Sequence, residues 1–335
     1  MAKRFAVLAF ALSLITALTL PNSVAAEPKK IAIAYDVGGR GDNGLNDLAA
    51  LGLERAIKKL NISRLDVREQ ITDGNLGDRI TRVRFLAKNK YQLIICVGSG
   101  YADTVRRISN EYPNTQFAII DDESVAMTNV SNLSFATPEA IYLAAAAMAV
   151  KSKSGKIGFI APKADLISTK YAAVFAKGAM AGNSKIKVFS KLVDSNIEVE
   201  VAGLVNSGVD QLFSTWSKSD EVISTVARIN SATTPILISG ILPDQYFLNF
   251  SAGKKNQYLA VSKRYDLAVE QIITAELSDK NILNILDSKK GIYGNRYNLK
   301  DGGLSVKVVA GSAFSAKIQG ILANLKAGRV KNLSN

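Results

Sequence analysis

The 335-residue chain contains no histidine and a single cysteine, Cys96. Without imidazole, neither a Ser-His-Asp triad nor a Cys-His pair can form, and the usual nitrogen ligands of zinc, copper and iron are missing. A single cysteine makes no intramolecular disulfide and no thiolate metal cluster. Cys96 stands inside the apolar run YQLIICVGSG, where we expect an ordinary core side chain. We therefore expect neither a metal site nor a cofactor.

Acidic residues are also in deficit, with 29 Asp and Glu against 42 Lys and Arg, which gives a formal net charge of +13. A basic chain can favour anionic ligands, acidic surfaces or nucleic acid. Its lysines, however, are scattered as isolated pairs without interleaved aromatic residues. This pattern favours a solvated surface over nucleic-acid binding.

The first 26 residues have the pattern of a secretory signal peptide rather than of a membrane span. Lys3 and Arg4 precede an apolar run over residues 5–20, and small residues at 24–26 fit cleavage before Glu27. Because no cysteine stands near this point, we expect no lipid anchor on the mature N-terminus. The mature protein is expected outside the cytoplasm, in the periplasm or the extracellular space.

Short apolar runs alternate with amphipathic helical patterns along the rest of the chain. Runs of Ile, Val and Leu between helices are typical of parallel sheets covered on both faces. One series runs from Ile31 to Asp121 and a second begins at Gly155, with no linker rich in Pro, Gly or Ser between them. Two touching lobes are therefore expected. The predicted division is a signal peptide over 1–26, a first lobe over 27–130 and about 257–285, and a second lobe over 131–256 and about 286–335.

Ligands of open parallel sheets bind outside the carboxyl ends of the strands, where helix N-termini and loop amides converge. This rule selects residues that follow predicted strands: Asp36, Ser99, Gly100, Tyr101, Asp121, Asp122, Trp216, Asp244 and Lys263. A single acid at a strand end is often a loop cap, but several that converge indicate a binding site.

The turn after the first strand, in AYDVGGRGDNGLNDLAALG over residues 34–52, contains two familiar strings. Gly39 to Gly44 spell G-x-G-x-x-G, a dinucleotide fingerprint, but Asp36 already closes the strand and places an acid where pyrophosphate would approach. Arg40-Gly41-Asp42 is an adhesion tripeptide that recurs by chance. A glycine loop that lets backbone approach a ligand, with Asp36 as a charged acceptor, fits these residues better.

Several segments in order resemble the basic membrane protein family, the purine-nucleoside receptor-like substrate-binding proteins of ABC transporters. YDVGGRGDNGLND resembles the family signature D-V-G-G-x-D-D-x-S-F-N, and GSGYADTVRRISNEYPNTQFAIID and VSKRYDLAVEQ continue the resemblance. The resemblance implies an α/β chain with a type I periplasmic-binding-protein fold. In that fold, hinge crossings join two doubly wound parallel-sheet lobes, and the ligand lies in the cleft between them.

The resemblance also implies which residues contact the ligand. Family aspartates fall on Asp36 and Asp121, a family lysine falls on Lys263, and a family asparagine falls on Asn46. These four positions keep the family's residue types. They preserve part of a polar pocket.

Other positions depart from the family pattern. The phenylalanine that stacks on the base falls on Leu45, and the acid that binds ribose falls on Leu242. Tyr101, with Gly100 beside it, and Trp216 stand at strand ends, where they could stack on a ligand from another side. Packing inside a lobe core is the alternative for both aromatic residues.

The predicted function is that of an exported solute-binding protein and not of an enzyme. As a monomer, it would capture a nucleoside or a related small polar ligand and deliver it to the permease subunits of an ABC importer. It would contact the membrane only through that permease and would bind no nucleic acid. Two alternatives stay open: an exported sensor or adaptor of the same fold, and a hydrolase that uses Asp36 and Asp121.

Overall fold

The computed structural model describes residues 29–215, 219–230, 235–241, 256–309 and 311–333. The helices are α1 (Leu45–Leu60), α2 (Leu76–Lys88), α3 (Ala102–Glu111), α4 (Thr137–Lys151), α5 (Ser168–Gly182), α6 (Ile197–Asn206), α7 (Ser219–Ile229), α8 (Tyr265–Leu277) and α9 (Ala316–Lys326). The strands are β1 (Ile31–Tyr35), β2 (Val67–Ile71), β3 (Leu93–Val97), β4 (Gln116–Ile120), β5 (Val130–Phe135), β6 (Lys156–Pro162), β7 (Lys187–Val193), β8 (Gln211–Ser214), β9 (Leu237–Ile241), β10 (Gln257–Lys263), β11 (Asn284–Asp287), β12 (Ile292–Tyr297) and β13 (Leu304–Val308).

The first sheet contains seven strands in the order β11-β12-β5-β4-β3-β1-β2. Its neighbours are parallel except for the pair β11 and β12 at one edge. Strands β1, β3 and β4 are buried along their whole length, which explains why they are nearly continuous apolar runs in the sequence.

The second sheet contains six strands in the order β13-β10-β9-β8-β6-β7, with β13 antiparallel to β10 and the other pairs parallel. Helices α4 and α5 pack closely against each other because a glycine of α5 faces the backbone of α4. A Cβ at Gly182 would lie 2.2 Å from the carbonyl oxygen of Ala146. Although α4 is rich in alanine and buried, none of the helices in the described ranges is long and apolar enough to cross a membrane.

The described chain passes between the two sheets at three places. Strand β5 of the first sheet leads through Ala136 into α4, and β10 of the second sheet leads through Arg264 into α8, which packs on α1. The third passage, residues 298–303, joins β12 to β13. This arrangement confirms the predicted fold of two doubly wound, mainly parallel lobes.

The predicted lobe boundaries need correction, because the chain passes between the two sheets at other residues. Residues 257–263 form β10 of the second sheet, whereas 131–135 and 286–297 belong to the first sheet. The hydrophobic pattern does not reveal β5 because polar residues interrupt it. One of them, Asn132, is buried with partners, since its Oδ1 accepts from the Val125 amide at 3.1 Å.

Candidate functional site

The carboxyl ends of the two sheets meet at an ion pair between Asp121 and Lys263. Asp121 directly follows β4 of the first sheet, and Lys263 is the last residue of β10 in the second. The Lys263 ammonium donates to Asp121 Oδ2 at 2.6 Å, and the lysine and aspartate side chains are 12% and 24% exposed. The structure therefore brings together two residues that the sequence selects separately as strand ends.

Asp121 has a second protein donor on the same oxygen. The Tyr265 hydroxyl donates to Oδ2 at 2.9 Å, while none of the described residues donates to Oδ1. Burial alone would lower the pKa of Lys263, but the Asp121 carboxylate, with Tyr171 and Asp165 nearby, holds that pKa above its usual range. Lys263 is therefore an ammonium at neutral pH, and both described donors to Asp121 are on Oδ2.

Asp36, which follows β1, is held in a similar way by residues of its own lobe. Its Oδ1 accepts from Arg79 Nη2 at 2.7 Å and from the Val37 amide at 2.9 Å. Arg79, on the first turns of α2, also donates to the Gly74 carbonyl at 2.7 Å and lies 5.2 Å from the ring centroid of Tyr101. Within the described part of the chain, Asp36 Oδ2 has no donor.

A glycine-containing turn lies between the two carboxylates. Gly98, Ser99 and Gly100 follow β3, which separates β1 from β4 in the sheet, and Ser99 and Gly100 are exposed. Gly98 has φ 99°, and a Cβ there would lie 3.2 Å from Asp36 Oδ2. Because neighbouring strands are about 4.8 Å apart, the backbones at Asp36 and Asp121 are two strand spacings, roughly 10 Å, apart across this turn. The turn thus forms an open floor between two partly occupied acceptors.

Asn46 and Leu45 lie at the start of α1, beside Asp36. The Asn46 side chain is buried, its Oδ1 accepts from the Asp36 amide at 3.0 Å, and its Nδ2 donates to the Val37 carbonyl and to Asp42. Leu45 is half-buried against the lobe core. Asn46 therefore holds the loop that carries Asp36, and direct contact of either residue with a ligand stays a prediction.

The Asp42 carboxylate caps the N-terminus of α1. It accepts hydrogen bonds from the backbone amides of Gly44 at 2.7 Å and of Asn46 and Asp47 at 3.2 Å each. These are amides that a dinucleotide fingerprint would offer to pyrophosphate. The G-x-G-x-x-G string is therefore a structural turn in this chain.

Arg40, the first residue of the adhesion tripeptide, is held in ion pairs. Its guanidinium contacts Glu69 at 2.6 Å and Glu54 at 2.7 Å. With Arg40 paired here and the Asp42 carboxylate engaged by backbone amides, the charged groups of the tripeptide stabilise the loop.

One of the predicted site residues, Tyr101, has other surroundings than a ligand contact requires. The Tyr101 ring is fully buried in the core, and its hydroxyl donates to the Tyr35 carbonyl at 2.8 Å. Tyr101 therefore packs inside the lobe core, which is the alternative to stacking on a ligand. Burial also raises its pKa. Gly100 is exposed beside Arg79, where a Cβ would lie 2.8 Å from Nη2. Trp216 and Leu242 lie outside the described residues.

The sequence does not single out three residues that surround the two carboxylates: Arg79, Tyr171 and Tyr265. Tyr171, on α5 of the second lobe, is half-buried, and burial together with the nearby Asp121 raises its pKa, although Lys263 opposes that rise. A topological signal exists for Arg79, because β2 pairs with β1 and places the start of α2 beside Asp36. Tyr265 follows Lys263 by two residues.

Two doubly wound lobes whose strand ends face each other form the type I periplasmic-binding-protein fold. A solved solute-binding protein of an ABC transporter system from Aeropyrum pernix has this fold, with a TM-score of 0.68 over 91% of this chain and 87% of that one at 19% identity. Residues 29–309 match the Bmp family, described as PnrA-like ABC transporter substrate-binding proteins, and the chain belongs to this family.

Two sequence relatives are similar to the chain over very different lengths. An ABC transporter nucleoside-binding protein, BmpA, from Lactococcus lactis is 25% identical over 293 residues, which cover 83% of this chain and 81% of that protein. An uncharacterized lipoprotein from Pyrococcus horikoshii is 40% identical over 93 residues, 28% of this chain and 22% of that one. Proteins of this family are exported substrate-binding proteins, and membership implies a small-molecule ligand and transporter permease partners.

Proposed function

We propose that this protein captures a nucleoside or a similar polar ring compound between its lobes and delivers it to an ABC importer. The observation that carries the proposal is the pair of aspartates on either side of the exposed turn at Gly98. Each uses one oxygen for a protein cation and a second donor, and the other oxygen has no donor among the described residues, which leaves it available in this proposal for a ligand. The two aspartates follow strands that are two spacings, roughly 10 Å, apart, so one small ligand lying across the turn at Gly98 can contact both.

The chemistry of these groups favours a neutral ligand with several hydrogen-bond donors. A carboxylate oxygen accepts hydroxyl and amino hydrogens, and such charge-assisted bonds are the strong ones. Arg79 and Lys263 balance the charges of the two aspartates, so the site gains little from a ligand that carries net charge. The name of the Lactococcus lactis relative, a nucleoside-binding protein, supports this choice of ligand class.

We infer that the ring is bound differently from the purine nucleosides of the family. Leu45 can cover a ring by dispersion, but it lacks the π-face that contributes about 0.5–1.5 kcal/mol in an aromatic stack. A leucine at position 242 cannot accept a ribose hydroxyl. In this proposal Tyr171, which is half-buried on the second lobe, is the aromatic residue that contacts the ligand from that lobe.

Delivery follows from the placement of the binding groups on both lobes. A ligand that contacts Asp36 from one lobe and Tyr171 or Lys263 from the other stabilises the closed arrangement over the open one. In this proposal the closed, ligand-bound monomer presents both lobes to the permease.

Native mass spectrometry of the purified protein, followed by a thermal-shift panel, tests the proposed ligand. The panel contains purine and pyrimidine nucleosides, free bases, pentoses and small anions. We expect a nucleoside to give the largest shift and the double variant Asp36→Asn/Asp121→Asn to lose it. A shift with only a sugar or an anion would contradict the nucleoside assignment and leave solute binding intact.

For the cellular location, we propose a free mature protein that begins at Glu27. The lipoprotein name of the Pyrococcus horikoshii relative makes anchoring the competing arrangement. The intact mass of protein recovered from an exporting host decides between the two, since attached acyl chains would add a mass that peptide cleavage alone does not give.

A further inference from the structure

Each passage between the sheets carries a buried aromatic residue at its first-lobe end. Phe135 ends β5, Tyr265 begins α8 and Tyr297 ends β12. Phe135 stacks on Tyr265 with ring centroids 5.4 Å apart and planes inclined by 18°, and on Tyr297 with the same centroid distance and 28°. All three residues are at most 2% exposed. One continuous aromatic stack therefore joins the three passages.

The backbone bends immediately beyond this stack in two of the passages. Ala136 has φ −73° and ψ 55°, and Arg264 has φ −79° and ψ 68°, both close to the inverse γ-turn. Their amides are fixed to the two ends of the third passage, since Ala136 N donates to the carbonyl of Tyr297, which precedes that passage, at 2.7 Å and Arg264 N donates to the Gly303 carbonyl at 2.9 Å. Hinges are a few such residues next to rigid elements.

Only one of the two phenol hydroxyls in the stack contacts the carboxylates described above. The Tyr265 hydroxyl donates to Asp121 Oδ2 at 2.9 Å, whereas the Tyr297 hydroxyl donates to Gln271 Oε1 at 3.0 Å. Lys263, at the second-lobe end of the same passage, donates to the same Asp121 oxygen at 2.6 Å. Asp121 is thus held from both sides of the bend at Arg264.

We propose that the Phe135–Tyr265–Tyr297 stack is the fixed base of the interlobe hinge and that Tyr265 is a positioning residue that ties Asp121 to this base. The Tyr265 hydroxyl fixes Asp121 relative to the first lobe, and Lys263 links it to the second. A change in the lobe angle therefore changes the contacts of Asp121, and a ligand on Asp121 favours one lobe angle. The inference rests on the proposed function in one respect, that Asp121 contacts the ligand.

A pair of matched variants tests this role. Tyr265→Phe and Tyr297→Phe each remove one phenol oxygen and leave the ring in the stack. Spin labels on Lys88→Cys and Lys185→Cys, exposed positions on different lobes, give the interlobe distance distribution, and the native Cys96 is buried. In the ligand-free protein we expect Tyr265→Phe to broaden this distribution and Tyr297→Phe to match the parent.

The ligand-bound state gives a second measurement, with inosine as the probe. A hydrogen bond to a charged group accounts for roughly ten- to a hundredfold in affinity, and loss of one of two donors to Asp121 should weaken binding about tenfold in Tyr265→Phe. Tyr297→Phe should stay within about twofold. If inosine does not bind the parent protein, inosine is excluded as a ligand, and the ligand-free distances still decide the hinge proposal.

A third variant, Phe135→Leu, removes the ring that connects the other two. We expect it to broaden the ligand-free distance distribution while the Tyr265 hydroxyl is retained. Thermal melts record the stability of each variant, since Tyr265→Phe loses a hydrogen bond to a charged carboxylate and Tyr297→Phe one to a neutral amide. The distances are measured well below the lowest of these melting temperatures, so that a difference in stability does not change them. Distance distributions that are the same in the parent and in all three variants would overturn the proposal, and so would equal broadening by the two Tyr→Phe variants.

Discussion

The two carboxylates of the site are held alike but by different parts of the molecule. Asp36 is paired with Arg79 from its own lobe, whereas Asp121 is paired with Lys263 from the opposite sheet and with Tyr265 at a passage between the lobes. The Asp36 half of the site is therefore complete within the first lobe. The Asp121 half exists only while the lobes keep this arrangement, so we expect ligand binding and lobe movement to be coupled through Asp121.

The two halves also differ in their contact with solvent. The Asp36 side chain is 38% exposed and that of Asp121 is 24% exposed. Ion pairs near water contribute little, whereas removal of one partner from a desolvated pair leaves an uncompensated charge. Loss of Asp121 should therefore damage both binding and stability, and loss of Asp36 mainly binding.

The largest effect is expected for Asp121→Asn. The change weakens an acceptor for the ligand and leaves the Lys263 ammonium without its carboxylate, so affinity should fall about a hundredfold and the free energy of unfolding by about 2–3 kcal/mol. Calorimetry with the ligand found by mass spectrometry and urea unfolding measure the two quantities. Asp122→Asn is the matched control, since the Asp122 carboxylate accepts from Ser124 instead. Equal losses in both variants would contradict the assignment of Asp121.

Asp36→Asn should have the next largest effect and a different profile. Affinity should fall about tenfold because one charge-assisted acceptor is lost, but the free energy of unfolding should change by less than about 1 kcal/mol. Arg79 keeps its bond to the Gly74 carbonyl in this variant. A loss of stability greater than that of Asp121→Asn would reverse the contrast between the two halves.

The sequence identifies some residues of the candidate site and misses others. The difference lies in what determines the position of each residue. Asp36, Asp121 and Lys263 directly follow or end apolar strands, and the hydrophobic pattern places such strand ends at the ligand edge of a parallel sheet. The strand-end rule is too coarse for Tyr101, because the turn over Ser99–Tyr101 directs its ring into the core.

Arg79 and Tyr265 depend on strand order and on the passages between lobes, which apolar periodicity does not encode. For the same reason β10 was expected in the first lobe: a buried strand has the same apolar pattern in either sheet. The fold class thus follows from periodicity, whereas the partners of each carboxylate follow from topology.

Arg79→Lys should have a smaller effect, because lysine retains the positive charge and loses only the planar arrangement of the guanidinium donors. The guanidinium bridges the Gly74 carbonyl and Asp36 and lies over the Tyr101 ring, and one ammonium cannot repeat all three contacts. Loss of a cation–π contact and one hydrogen bond next to a retained ion pair should lower affinity about threefold. Arg82→Lys serves as the control, since Arg82 pairs with Asp78 on the same helix. A similar loss in the control would assign the effect to helix α2 as a whole.

The smallest effect is expected from pH, because the pKa of Lys263 is raised above its usual value of 10.5. A lysine with a raised pKa in the folded state stabilises the protein fully below its unfolded pKa, and this contribution is lost as pH rises toward and through the folded value. The difference in unfolding free energy between the parent and Lys263→Met should therefore stay constant from about pH 6 to pH 9 and shrink above about pH 10. Urea unfolding of both proteins across this range measures it. A difference that already shrinks between pH 7 and pH 9 would mean that Lys263 loses its proton near neutrality, and the Asp121 half of the site would then lack the permanent cation on which the comparison depends.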